Sequence, residues 1–329
     1  MDLSTTYLGF RLPHPFVPGA SPLVDDLDTV RRLEDAGAAA IVMHSLFEEQ
    51  ISREQVAVAR YLGATAESAE ALTYLPDPEA FALGPEEYQE HIHRLKAVLA
   101  VPVIASLNGV TDGGWLGYAR LIEHAGADAL ELNVYALASD LTESSEMIER
   151  RTLHMLQAIK NSIGIPVAVK LSPFYTSLGH FPHRLAGHCA DGLILFNRFY
   201  QSDIDVETLD VTPTLRLSDS SELLLRLRWL ALLSGRVKSS LAVTGGVHTT
   251  LDAVKAIMAG ADAIQVVSAL LRHGPEHLAT LRRDLALWLE EHEYESLEQM
   301  KGSMNLLRCP NPRAHERANY MNVLQSWWG

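Results

Sequence analysis

Lys170 is the lone charge in the apolar run "PVAVKLS", residues 166 to 172. A buried ammonium is costly unless paired, so this one calls for an anion or a carbonyl-rich ligand beside it. Other apolar runs also end on polar groups. Asn108, Asn133 and Asn197 each close a run with an amide, and Ala20-Ser21, His44-Ser45 and Ser268-Ala269 close three more. Gly245-Gly246 end the run "LAVTGGV", where two glycines let backbone N–H groups turn in on an anion. The segment "TTLDAVKAIM" then opens a helix whose positive end points the same way. A cation, amides, hydroxyls and an anion-binding turn suit a phosphorylated cofactor with a polar ring above Lys170. Lys170 also admits a second chemistry, as the Schiff-base nucleophile of a lyase whose substrate phosphate rests on the glycine pair.

These residues need a frame that brings them together. Eight short apolar runs recur: 15–21, 38–45, 101–108, 128–133, 166–172, 191–197, 241–247 and 262–269. Each has the length and near-continuous apolarity of a strand covered on both faces in a parallel sheet. Helix-period segments such as "LDTVRRLEDAG", "EEYQEHIHRLKAVLA" and "SEMIERRTLHMLQAIKNSI" lie between them. "EDAGAAAIVM", "EHAGADALEL" and "IMAGADAIQV" repeat one pattern, a helix end, a glycine stop and a buried strand. Eight such units without a glycine- or proline-rich linker predict an α/β fold, a (β/α)8 TIM barrel as one domain over residues 1–329, with a C-terminal tail from about residue 303. A doubly wound open sheet is the competing architecture, but "PGASPL" is not its GxGxxG turn. In a barrel all the strand ends named above face one side, so their polar groups converge.

Two connections are too long for simple crossovers and predict insertions after strands two and six. Residues 46–85 form the first; the second, 198–222, contains "IDVETLDVTPTLRLS", whose alternation suggests a small β-excursion. Such insertions serve as lids or subunit contacts, and a homodimer is the expected assembly.

A net charge of −14 argues against nucleic-acid and anionic-membrane partners, which need a basic surface. Cys189 and Cys309 are far apart and in no metal-like spacing, so no disulfide, zinc or iron–sulfur site is expected. The opening "MDLSTTYLGFRLPHP" lacks the basic and apolar regions of a signal peptide. The run "LLLRLRWLALL" is short and broken by Arg226 and Arg228. A cytoplasmic protein acting on a small molecule is the resulting expectation.

Taken in order, "ELN", "VKLSP", "LAVTGGV" and "GADAIQVVSALL" resemble the dihydroorotate dehydrogenase family of FMN-dependent (β/α)8 flavoproteins. The likeness runs from "YLGFRLPHPFVPGAS" to "YESLEQMKG". It implies an oxidoreductase of pyrimidine biosynthesis type, acting on a CH–CH group by hydride transfer to FMN. The phosphate would rest on Gly245-Gly246 and Ser268-Ala269, with Ala20, Ser21, Ser45, Asn133 and Lys170 around the flavin ring. His44, Asn133 and Asn197 would meet the substrate. The departures are specific. His44 stands where the family has a lysine, and the family's asparagine-bearing loop is not recognisable in "TAESAEALTYLPDP". Ala136 occupies the register of the cysteine or serine base, with Tyr135 and Ser139 as neighbouring substitutes; Tyr135 joins Lys170 as a catalytic candidate. Losing a general base costs roughly 10²–10⁴-fold, so dihydroorotate is expected to be a poor substrate. A lyase using Lys170 and a flavin-binding partner protein without turnover remain the alternatives. No NAD turn or CxxC relay indicates the electron acceptor.

Overall fold

The computed structural model describes residues 1–47, 84–109, 115–135, 138–198, 201–214 and 216–326. An N-terminal hairpin, β1 (Thr5–Tyr7) and β2 (Phe10–Leu12), precedes β3 (Phe16–Pro18), β4 (Ile41–Phe47), β5 (Val103–Gly109) and β6 (Ala129–Val134). Then come β7 (Val167–Leu171), β8 (Gly192–Leu195), a second hairpin of β9 (Gln201–Asp205) and β10 (Asp210–Thr214), β11 (Ser240–Thr244) and β12 (Ala263–Val266). The helices are α1 (Leu27–Asp35), α2 (Pro85–Val98), α3 (Trp115–His124), α4 (Ser145–Lys160), α5 (His180–Gly187) and α6 (Leu223–Leu233). They continue as α7 (Thr250–Ala259), α8 (Ser268–His273), α9 (His277–Glu291), α10 (Leu297–Met300) and α11 (Pro312–Ser326).

All eight apolar runs are strands of one parallel sheet, in the order β3-β12-β11-β8-β7-β6-β5-β4. The N–H of Ala39, just before β4, donates to Phe16 O of β3 at 3.1 Å and draws the two ends of the sheet together. Helices flank the ring, and the architecture is a (β/α)8 TIM barrel. The excursion expected after the sixth barrel strand is the β9–β10 hairpin. The insertion expected after the second falls on residues 48–83, outside the described residues. Among the described residues no helix is long and apolar enough to cross a membrane.

Strand alternation divides the apolar side chains into two cores. Val103, Ala105, Leu130, Val167 and Val169 point outward to the helices. Ile104, Ala129, Ala168, Ile194, Ala242 and Ala263 point inward, and they are mostly small because Tyr7, Leu8 and Leu12 of the first hairpin fill the space beneath them. Gly192 shows how tight this plug is, since a Cβ there would lie 2.5 Å from Leu8 Cδ2. Thr5 Oγ1 donates to Asp262 O at 2.9 Å, and Leu8 N–H donates to Ser240 Oγ at 3.1 Å.

The repeated glycine stops have a backbone cause. Gly37, Gly126 and Gly260 follow α1, α3 and α7 with φ of +91°, +94° and +116°, a region that costs other residues a Cβ clash. An aspartate latch repeats beside them. Asp128, Asp191 and Asp262 each accept an N–H at the start of the neighbouring strand, from Val103, Val167 and Leu241, at 2.7 Å. Lys96, Lys160 and Lys301 pair with the same three carboxylates at 2.7, 2.7 and 3.1 Å. The latches lie at the amino ends of the strands, which in this fold serve stability.

His14, 3% exposed beside Phe16, gives this face a pH dependence. Burial disfavours its charged form and pushes its pKa down to about 4. Its Nδ1 accepts the Phe16 N–H at 3.3 Å, which requires an unprotonated nitrogen. Between pH ~6.5 and ~4 the unfolded chain therefore takes up a proton that the folded chain refuses, and stability falls as the pH drops through this window. In urea titrations, the wild type should lose on the order of 3 kcal/mol more than His14→Gln between pH 7 and 4. Parallel losses in the two proteins would refute the assignment.

Candidate active site

Strand parity builds the interior of the barrel mouth. Glu131 and Asn133 on β6 share a face, and register places Asn133 beside Lys170 of β7 and Ser106 of β5 beside Glu131. Lys170 Nζ donates to Glu131 Oε1 at 3.0 Å, and Gln265 Nε2 of β12 donates to Glu131 Oε2 at 2.6 Å. Glu131 is fully buried, Lys170 is 6% exposed, and Gln265 Oε1 is buried without a partner among the described residues. The anion that Lys170 required is thus supplied by the chain itself. An ammonium has three donors, and Glu131 uses one. Glu131 and Gln265 were not among the expected site residues. Their signal was present: each is a polar residue inside an apolar strand, and Glu131 lies two positions before Asn133.

The amides converge as expected. Asn197, just past β8, donates from Nδ2 to Asn133 Oδ1 at 2.5 Å. Tyr135 stands half-buried immediately beyond β6. Ala136, in the register of the family's base, lies outside the described residues. At the end of β4, the Ser45 hydroxyl bonds that of Ser106 at 2.7 Å. His44 bonds Asp25, Nδ1 to Oδ2 at 3.1 Å, rather than any of the other expected residues. Ala20 and Ser21 follow β3 at the same end of the barrel. Ala20 packs against the inner core, and Ser21 is buried with its carbonyl accepting Val24 N–H at 3.3 Å.

The glycine turn after β11 is formed as the sequence requires. Gly245 and Gly246 have φ of +80° and +83°, and a Cβ on Gly246 would lie 2.4 Å from the backbone nitrogen of Leu223. Arg226 of α6, itself buried, donates from Nε to Thr244 O and from Nη1 to Glu222 O at 2.6 Å, bracing the turn from beneath. Ser218 links the two halves of the expected cradle. Its hydroxyl accepts Gly246 N–H at 3.3 Å, and its own N–H donates to Ser268 Oγ at 3.1 Å. His248 Nε2 lies 3.2 Å from the same hydroxyl. Burial first, and the nearby Arg272 second, hold the His248 pKa below its ordinary value, so a neutral ring can accept the Ser218 proton. Ser218 and His248 were also missed, because they become neighbours only when the segment after β10 folds back over β11.

A phosphate-bearing group fits these residues. A turn that no Cβ could enter lies next to the first-turn N–H groups of Ser268 and Ala269, which have no acceptor within their own helix. A Cβ on Gly19, just past β3, would lie 2.8 Å from Val267 Cγ2, so the chain leaving β3 lies tight against the side chains at the end of β12.

The family model described as dihydroorotate dehydrogenase matches residues 82–289. The chain is 25% identical over 312 residues to the catalytic subunit of dihydroorotate dehydrogenase B (NAD(+)) from Thermoplasma volcanium, covering 92% of this chain and 98% of that one. It is 24% identical over 327 residues to the NAD-dependent dihydropyrimidine dehydrogenase subunit PreA of Escherichia coli K12, covering 92% and 77%. It is also 24% identical over 330 residues to the chloroplastic dihydropyrimidine dehydrogenase (NADP(+)) of Arabidopsis thaliana, covering 92% and 76%. With the barrel, the strand-end polar groups and a family model matching well over half of the sequence, the chain belongs to the dihydroorotate dehydrogenase family.

Proposed function

We propose that this oxidoreductase binds FMN and acts on a CH–CH group of a small planar substrate. The observation that carries the reading is the placement of a glycine turn and the Ser268 helix start around the same barrel mouth as Lys170, Asn133 and Asn197. FMN, when bound, would supply hydride acceptance. The chain's residues have separate tasks. Gly245-Gly246 and the helix start at Ser268-Ala269 form the phosphate cradle, and Ser218, which takes the Gly246 N–H, fixes the shape of the turn. Ala20, Ser21 and Ser45 border the flavin ring, and Lys170 places a cation against it whose charge Glu131 balances from below. Asn133 and Asn197 orient the substrate by paired amides.

The relatives are named for dihydroorotate and for dihydropyrimidines, and a cyclic dihydro compound of this class is the proposed substrate. Dihydroorotate itself is disfavoured by alanine at position 136 and by the absence of a recognisable asparagine-bearing loop. A lyase is disfavoured because Lys170 is engaged with a buried carboxylate rather than standing as a free amine.

Three outcomes test this. The purified protein should carry FMN, released by acid and identified by chromatography; FAD, or no uptake of added FMN, would refute the assignment. Gly246→Ala should cut FMN occupancy at least tenfold, because its Cβ meets immovable backbone; full occupancy would remove the turn from the site. Lys170→Met should destabilise the fold by about 3–5 kcal/mol by leaving Glu131 unpaired. Adding Glu131→Leu should restore stability but not the flavin potential, which stays more negative than in the wild type. Recovery of both would make the pair purely structural.

A further inference from the structure

The end of β4 holds a second charged arrangement, separate from Lys170. The register of β4 against β5 shifts between Val42 and Ser45, so His44 sits in an irregular stretch at the mouth, one residue before the Ser45–Ser106 pair. Asp25 reaches it from the turn that follows Ser21. One carboxylate oxygen bonds His44 Nδ1 at 3.1 Å, while the other is buried with no partner among the described residues. The His44 side chain keeps 30% of its surface exposed, and its Nε2 has no hydrogen bond among the described residues.

A carboxylate on one ring nitrogen fixes the proton there and leaves the lone pair of the other nitrogen outward. It also stabilises the imidazolium once a proton arrives, the division of labour found wherever an oriented histidine serves as a base. Neighbouring groups are engaged otherwise. Lys170 is bonded to Glu131, the Ser45 and Ser106 hydroxyls bond each other, and Asn133 and Asn197 are amides.

We propose that His44 is the proton-transfer residue of this site and that Asp25 is its positioning residue. The substrate it serves is a carbon acid with a C–H next to a carbonyl. The inference rests on the flavin reading above. In the oxidative direction His44 Nε2 takes the proton from that carbon, while the adjacent carbon gives its hydride to the flavin. Those two C–H bonds are replaced by one C=C bond. The substrate loses two electrons, the flavin gains them, and the imidazolium then returns its proton to water.

Two measurements test the assignment on the FMN-loaded protein. In histidine-labelled (15N) protein, long-range 1H–15N spectra should show His44, identified by its loss in His44→Gln, with the proton on Nδ1. Asp25→Asn should shift it toward a mixture of tautomers. A proton on Nε2 in the wild type, or no response to Asp25→Asn, overturns the proposal. The second measurement follows deuterium entry from D2O into 5,6-dihydrouracil and dihydroorotate at the carbon beside the carbonyl, under anaerobic conditions. His44→Gln should slow entry into the better probe by roughly 10²-fold or more at equal FMN occupancy. Imidazole added to His44→Gly should restore part of the rate. Equal entry in wild type and His44→Gln, including none above buffer in either, overturns it. Failure of the wild type to hold FMN at all would instead overturn the flavin reading, and this proposal with it.

Discussion

A charge inside a parallel barrel is the constraint around which the site is arranged. Lys170 cannot be buried alone, and the residue that answers it, Glu131, is more deeply buried still. Their bond joins β7 to β6, and Gln265 extends it across the interior to β12. Desolvating such a pair costs several kcal/mol per ion, so it adds little stability by itself. What it adds is a fixed ammonium whose position is set by three strands at once. Anything lying on the mouth of the barrel meets a polar floor that cannot relax.

The two ends of the strands are built on different rules. At the amino ends, the aspartate latches repeat one motif three times, and the first hairpin seals the bore with apolar side chains. At the carboxyl ends nothing repeats. Asp25, Ser218 and Asn197 come from different loops, and each bonds a residue far from it in sequence, His44, Gly246 and Asn133 respectively. Uniform construction on one face leaves the other free to vary, as barrel enzymes require.

This division also explains what could be read from the sequence. The eight strands were legible because a strand covered on both faces is a continuous apolar run, and the αβ turns because Gly37, Gly126 and Gly260 need positive φ. The placement of the candidate site's residues was legible where a polar group lies at the end of such a run, as with Lys170, Asn133, Asn197 and Gly245-Gly246. It was not legible where partners are chosen by register or by folded-back loops. Glu131 reads as part of a strand until its pairing with Lys170 is known. Asp25 reads as a helix-leading acid until β4 brings His44 to it. Ser218 lies in the excursion, with no periodic pattern to place it.

The hairpin plug has a consequence for how the chain is made. Thr5 is bonded to Asp262, 257 positions later, and Leu8 to Ser240, 232 positions later. At 5–20 residues per second, residues near position 5 leave the ribosome on the order of tens of seconds before their acceptors are synthesised. For that interval Tyr7, Leu8 and Leu12 have no bore to fill. β3 likewise waits for β12, because the seam between them joins an early strand to the last. Contacts this distant in sequence slow folding, since the loop must close before they reward it. Ring closure is therefore a late event, and until β12 is made the nascent chain presents an unpaired edge on β3.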